Sequence, residues 1–400
     1  MESLKELYKI GNGPSSSHTI GPKNAAIYMN NTYPYADYFK VYLYGSLAFT
    51  GKGHLTDKVI IDTLKAKSEV IFDYLTYKPH PNTMVFEAYK QNVLLGCETI
   101  ISIGGGMIQI KGHESLVKED VYPYTTLNEI IDYCNKENIS LADFVYRFDS
   151  KDIKEYLGTI YDTMIESIHH GLNTNGLLPG KLKIERKAKS LFEKVVENET
   201  EEDKNLRLLY SYAYAVSEEN ASGGIIVTAP TCGSSGVVPA VLMYLAQVEG
   251  YSKEELIDSL AVAGLIGNIV KKNGSISGAE AGCQAEVGVA CSMASTMYAY
   301  THKSDIYTVG QSAEIALEHH LGLTCDPILG YVQIPCIERN AIASIRAINA
   351  YKLAKLLDKN KNRISFDLII KTMLETGKDL QSNYKETSLG GLAKLYVCEE

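Results

Sequence analysis

Three cysteines stand where a thiolate could reach into a cavity. Cys283 follows Gly278-Ala279-Glu280-Ala281-Gly282, Cys325 lies in Leu323-Thr324-Cys325-Asp326-Pro327, and Cys336 follows Ile334-Pro335. Each reads as a helix-boundary position, where sulfur can act as nucleophile or as ligand to a soft metal. Their wide separations match no C-x-x-C zinc or ferredoxin run, so spacing alone favours three buried, unligated thiols. Cys97, Cys134 and Cys291 have no such setting, and Cys291 falls inside a helical pattern.

Imidazoles offer the complementary chemistry, because a neutral histidine can take a proton near neutral pH. His18, His54 and His80 lie in Ser17-His18-Thr19, Gly51-Lys52-Gly53-His54 and Pro79-His80-Pro81, turn-like settings where a lone histidine is usually a solvated surface residue. Around His18 cluster the hydroxyls of Ser15, Ser16, Ser17 and Thr19, between two Gly-Pro pairs and ahead of a helical run. Hydroxyls and free N–H groups at a helix start suit a carboxylate or phosphate, and equally suit an ordinary N-cap loop. Two further glycine-rich stretches, Ser222 to Gly236 and Lys271 to Cys283, permit close backbone approach. His169-His170 and His319-His320 fall at helix C-termini and read as structural.

The elements that must position these groups come in two kinds. Over the first ~115 residues, Lys40 to Tyr44, Thr83 to Tyr89 and Thr99 to Ile103 read as strands, and Thr56 to Lys67 as a helix. Gly104-Gly105-Gly106 reads as a strand end, since no phosphate-loop spacing follows it. From Leu127 the pattern is helical: Leu127 to Asn138, Asp152 to His170, Lys181 to Glu197, Leu206 to Ser217, Val238 to Gln247 and Glu254 to Lys272. Gly282 to Tyr300, Ser312 to His320, Cys336 to Leu357 and Phe366 to Leu380 continue it. The expected fold is therefore α+β: a small N-terminal α/β domain over residues 1–120 and a large all-α domain over residues 121–400, joined between Glu114 and Thr126.

Composition narrows the partners. The 400 residues are 45% hydrophobic and 22% charged with a net charge of −9, the balance of a globular chain without the basic face that nucleic acid or an anionic membrane needs. Met1-Glu2-Ser3-Leu4-Lys5-Glu6 lacks the basic start and apolar run of a secretory signal. Asn220 to Val248 is uncharged, yet its prolines, hydroxyls and glycines read as a buried loop entering a helix rather than a membrane span. A reducing cytoplasm is expected, with free thiols or metal-bound cysteines.

Together these stretches resemble the iron–sulfur-dependent L-serine dehydratases (L-serine ammonia-lyases). The resemblance rests on Ser15 to Thr19 with its Gly-Pro flanks, Tyr44-Gly45-Ser46-Leu47-Ala48 with Gly51 to His54, and Thr228-Ala229-Pro230-Thr231. It also rests on Gly278 to Gly288, Glu318 to Pro327, Gln333 to Asn340 and Lys385 to Ala393, in the order of the single-chain form with the small domain first. Thr83, in Pro81-Asn82-Thr83-Met84, stands where the family has glycine. The resemblance implies a [4Fe–4S] cluster held by Cys283, Cys325 and Cys336, with one iron open as a Lewis acid, and β-elimination of L-serine to pyruvate and ammonia. It also makes Cys398, near the C-terminus, a possible ligand to that iron.

On this reading His54 is the expected base, with His18 second and His80 third. Ser15, Ser16, Ser17, Thr19, Asn273, Ser275, Ser277 and Gly278 are expected to hold the substrate's carboxylate and ammonium, at a site between the two domains of a homodimer's subunit. Two other readings make different demands. A pyridoxal-phosphate dehydratase would need a Schiff-base lysine, for which Lys271 or Lys272 is the one suggestive position. A non-catalytic amino-acid sensor would need no cysteines.

Overall fold

The computed structural model describes residues 1–112, 120–358 and 361–397. The expected junction between Glu114 and Thr126 falls partly outside them. Strands β1 (Ile10–Asn12), β2 (Tyr38–Tyr44), β3 (Lys67–Asp73), β4 (Thr83–Lys90), β5 (Val93–Gly104), β6 (Met107–Ile110) and β7 (Ile225–Val227) form two sheets. The larger runs in the order β3-β2-β4-β5-β6, with β2 and β3 parallel and the other pairs antiparallel.

Alternation decides the buried face of this sheet. Phe39, Val41 and Leu43 of β2 point inward beside Met84, Phe86 and Ala88 of β4, while Lys40 and Tyr42 point away. Ala25, Ala26 and Met29 from helix Gly21–Thr32 and Ile60 from helix Thr56–Thr63 close that core. Gln91 and Asn92, with φ of 49° and 64°, make the tight turn between β4 and β5. The triple glycine ends β5 and turns the chain into β6, so its reading as a strand end holds.

The rest is helical, as the periodicity indicates, and is built around Val287–Thr301. That helix is buried on every side and packs against helices Lys253–Asn273, Ile306–Glu318, Cys336–Leu356 and Val237–Gln247. Besides the helix read over Thr56 to Lys67, which ends at Thr63 with Lys67 opening β3, three expectations need correction. The helix read over Lys181 to Glu197 exists only as Ala188–Glu193, because the rest is solvated Lys/Glu-rich chain with no apolar stripe to bury. The helix read from Gly282 begins at Val287, because Gly282 takes a positive φ of 78° between two short turns.

The third correction is β7, a strand inside the run read as purely helical. It pairs antiparallel with β1 (Ile10↔Val227, Asn12↔Ile225). Residues ahead of β1 follow it into the helical core: Met1, Leu4, Leu7 and Tyr8 are fully buried there. Gly264 makes this possible, since a Cβ on it would stand 2.7 Å from the Tyr8 ring and 2.8 Å from Leu4. The chain thus starts in the helical part, crosses into the sheet and returns. Among the described residues, no helix is long and apolar enough to cross a membrane.

Candidate active site

Three backbone devices bring the α/β part to the cysteines. Ser15 caps a single π-helical turn, Ser16–Ile20, with its hydroxyl accepting from the His18 N–H, and so buries His18 completely. Gly45, at φ 54°, turns β2 into the short helix Ser46–Thr50; a Cβ there would meet the Pro81 carbonyl oxygen at 2.5 Å. Gly53 lies so close to Gly330 that a Cβ would stand 2.4 Å from its carbonyl carbon. The His54 turn therefore rests directly on the loop between Cys325 and Cys336.

Hydrogen bonds then settle where the protons sit. Thr50 Oγ1 donates to the Ser46 carbonyl at 2.9 Å, so toward His54 Nδ1, 3.1 Å away, it can only accept. His54 accordingly carries its proton on Nδ1 and presents a bare Nε2. His18 differs. Ser46 Oγ donates to the Glu386 carbonyl at 2.6 Å and so accepts from His18 Nε2–H at 2.9 Å, while His18 Nδ1 takes the Ser17 hydroxyl at 2.8 Å. Both His18 nitrogens are committed, and one His54 nitrogen is free.

Burial keeps both rings neutral: it pulls His54 down to about 3, and pulls His18 well below its usual range, helped by neighbouring His54. Glu386 Oε1 lies 3.4 Å from His18 Nδ1 and 3.8 Å from His54 Nε2. Burial, and then the nearby Glu286 charge, push the Glu386 carboxyl well above the usual carboxylate range. These are contacts between neutral groups and not ion pairs. The ligating atoms of His18, His54 and Glu386 lie within 4.8 Å of one another, a spacing a metal could use. With His18 saturated by serines, the trio is better suited to handling a proton.

Cys283, Cys325 and Cys336 line one cavity, which Ser15 and His54 enter from the α/β side and Glu286, Asp326, Arg339 and Glu386 from the helical side. Cys325 is pinned by a strand-like bridge: its N–H donates to the Tyr384 carbonyl, and its own carbonyl accepts from the Glu386 N–H, each at 2.8 Å. Cys336 opens helix Cys336–Leu356. Gly278 completes the approach, since a Cβ on it would stand 2.5 Å from Glu286 Oε2 and 3.3 Å from Cys325 Sγ.

All three cysteines are free of disulfides. Burial raises each thiol, Cys283 to about 11 and the other two further, with nearby Arg339 opposing for Cys283 and Cys336. Three soft donors from separate loops, desolvated together beside a Glu386 Oε2 that has no hydrogen-bond partner, fit a thiophilic cationic group that would draw off their protons.

The remaining expected site residues divide. Thr19 Oγ1 donates to the His54 carbonyl at 2.8 Å, so Thr19, like Ser17, positions a histidine; Ser16 is buried in the same turn. Ser277 is buried with its hydroxyl unpartnered, and it does not line the cavity. Ser275 donates to Glu280 Oε2 at 2.5 Å, and His80 Nε2 sits 3.5 Å from Glu280 Oε1, so both belong to a clamp between the sheet and the Gly278 turn; neither lines the cavity. Asn273 spends its amide on the Thr125 and Ile269 carbonyls. Lys271 donates to Glu2 and Lys272 to Asp120, and neither lysine lines the cavity. Cys398 lies outside the described residues.

Glu286, Glu386 and Arg339 were not singled out as site residues by sequence reasoning. Glu286 is three residues beyond Cys283, a visible signal. Burial raises its carboxyl to about 7, opposed by the Thr231 hydroxyl, which donates to it at 2.7 Å. Nothing in the exposed-looking sequence Lys385-Glu386-Thr387 marks Glu386 as buried.

Comparison with known proteins gives the family. Residues 3–68 match the family model described as serine dehydratase beta chain, and residues 64–393 that of serine dehydratase alpha chain. The L-serine dehydratase of Haemophilus influenzae is 38% identical over 455 aligned positions, covering 100% of both chains. The Helicobacter pylori (strain J99) L-serine dehydratase is 39% identical over 99% of each chain, and L-serine dehydratase 1 of Escherichia coli K12 is 38% identical over 100% of each.

Proposed function

The chain belongs to the serine dehydratase family, and from that premise we propose that it is an L-serine ammonia-lyase, forming pyruvate and ammonia by β-elimination. The observation that carries this reading is the meeting of three free thiols and a lone imidazole nitrogen in one cavity. Cys283, Cys325 and Cys336 would hold a [4Fe–4S] cluster. When bound through three protein thiolates, such a cluster supplies a Lewis acid that makes hydroxide a feasible leaving group.

The protein's own groups do the rest. His54 Nε2 is the base for the Cα proton; its Nδ1–H is locked on Thr50, so the ring cannot rotate its lone pair away. Glu386, at 3.8 Å, is the nearest carboxyl to that nitrogen and would have to lose its own proton before it could offset an imidazolium on His54. His18 is a positioning residue, joining Ser17 to Ser46 and through Ser46 to the Glu386 backbone. The Ser15 hydroxyl, in the cavity wall, is a donor for the substrate carboxylate, and Glu286 is an acceptor for its ammonium. Cys398, outside the described residues, would be a further thiol available to such a cluster. The seven described cysteines, all free, support a reducing compartment such as the cytoplasm.

Anaerobic iron and sulfide analysis, run alongside a pyruvate assay with L-serine, tests the reading. Iron and sulfide in equal amounts with pyruvate formation are expected. Pyruvate formation by iron-free protein would overturn it.

A further inference from the structure

The run Thr228-Ala229-Pro230-Thr231 leads into a loop that meets the thiol cavity at Gly233. Thr231, 2% exposed, donates its one hydroxyl proton to Glu286 Oε1 at 2.7 Å, so toward Ser234 Oγ, 3.1 Å away, it can only accept. Glu286 stands apart from the chain around it. Residues 281–285 and 287–290 are buried, whereas Glu286 keeps accessible surface and lines the cavity. Its second oxygen, Oε2, lies on the cysteine side, 4.0 Å from Cys325 Sγ.

Asn340 fixes this loop to the cysteine helix. Its Nδ2 donates to the Gly233 and Cys336 carbonyls, each at 2.8 Å, and its Oδ1 accepts the Gly236 N–H at 3.0 Å. Gly233 approaches so closely that a Cβ on it would stand 3.3 Å from Glu286 Oε1. A glutamate free to turn must order its whole side chain to meet a ligand, and one already held on Oε1 by a fixed loop has less left to order. Resting on Glu286 as the acceptor for the substrate's ammonium, we propose that Thr231 is the positioning residue that holds Glu286 toward that ammonium and so sets the preference for a substrate bearing an amino group.

This role lies in binding rather than in the elimination. The ammonium keeps its positive charge from bound serine to the transition state for removal of the Cα proton. A contact to it therefore acts alike on both and enters KM rather than kcat. Among the described residues the Thr231 hydroxyl bonds to Glu286 and Ser234 alone, so its removal leaves the hydrogen bonds of His54 in place.

Steady-state kinetics of the anaerobically purified holoenzyme with L-serine, and competitive inhibition by 3-hydroxypropionate (serine without its amino group), test the proposal. Thr231→Val, nearly isosteric, should raise KM about tenfold while kcat, iron content and the inhibition constant of 3-hydroxypropionate stay within about twofold. Thr231→Ser keeps the hydroxyl and should hold KM within about threefold of wild type. A KM in Thr231→Val within about twofold of wild type overturns the proposal. So does a KM that rises together with the inhibition constant, because a misshapen loop would weaken both ligands alike. Glu286→Gln separates the two levels: an unchanged KM there removes the ammonium site itself, whereas a raised KM there beside an unchanged KM in Thr231→Val overturns the positioning role alone.

Discussion

The two walls of the candidate active site are built on opposite principles. On the histidine side nearly every polar atom has an in-chain partner: Ser17, Ser46, Thr19 and Thr50 are each used to hold a ring or its backbone, and a single lone pair, on His54 Nε2, is left over. On the thiol side the polar atoms are buried and few are answered: three raised thiols, the unpartnered Glu386 Oε2 and a raised Glu286 carboxyl held by the Thr231 hydroxyl. A satisfied network is preorganised by the protein alone, whereas an unsatisfied one is stable only when something else enters. The histidine wall is complete as folded, and the thiol wall is a socket.

The largest effect should come from damaging the socket. Cys283→Ser, Cys325→Ser and Cys336→Ser should each lower activity by about 10³-fold or more and release iron, because loss of one ligand of three leaves too few to retain a cluster. Iron content and absorbance on anaerobically purified protein check this, with Cys97→Ser as the neutral control; a fully active, iron-replete variant would break the contrast. Next, His54→Ala should lower kcat about 10²-fold or more while iron content and absorbance stay unchanged. Loss of iron in that variant would mean the walls are not separable.

Smaller losses sharpen the picture. Thr50→Val removes the acceptor that fixes His54 Nδ1–H and should lower kcat about tenfold with little change in Tm; an unchanged kcat would show that the ring is held without it. Gly53→Ala forces a Cβ into the Gly330 backbone and should destabilise the protein by ~1–3 kcal/mol, read as a lower Tm in thermal unfolding. Chelation of iron under anaerobic conditions should lower the Tm of wild type and of His54→Ala alike, since both retain the socket. A fall confined to wild type would contradict the proposed independence of the two walls.

Much of this molecule was legible from residue order alone. Alternation in Phe39, Val41 and Leu43, the 3.6-residue periodicity from Leu127 onward and the glycine stop at Gly104 depend on local rules, so strands, helices and the α+β order could be read directly. The chemistry of the cysteines and histidines came from the family resemblance, since spacing alone favoured buried, unligated thiols and solvated loop imidazoles. The solvated Lys181 to Glu197 stretch misled because charge composition favours helix where no packing partner exists to stabilise one.

What tertiary structure alone decided is which groups are dry, which are paired and where each proton sits. Glu386 reads as a surface carboxylate in Lys385-Glu386-Thr387, and only the bridge from Lys385 to Cys325 buries it beside two imidazoles. His18 and His54 look alike in sequence; Ser46 and Thr50, each already donating elsewhere, leave one ring saturated and the other with a free nitrogen. Burial, and the Ser46 donation to a carbonyl 340 residues away, depend on partners far apart in the chain, and a sequence carries those distances only through the fold.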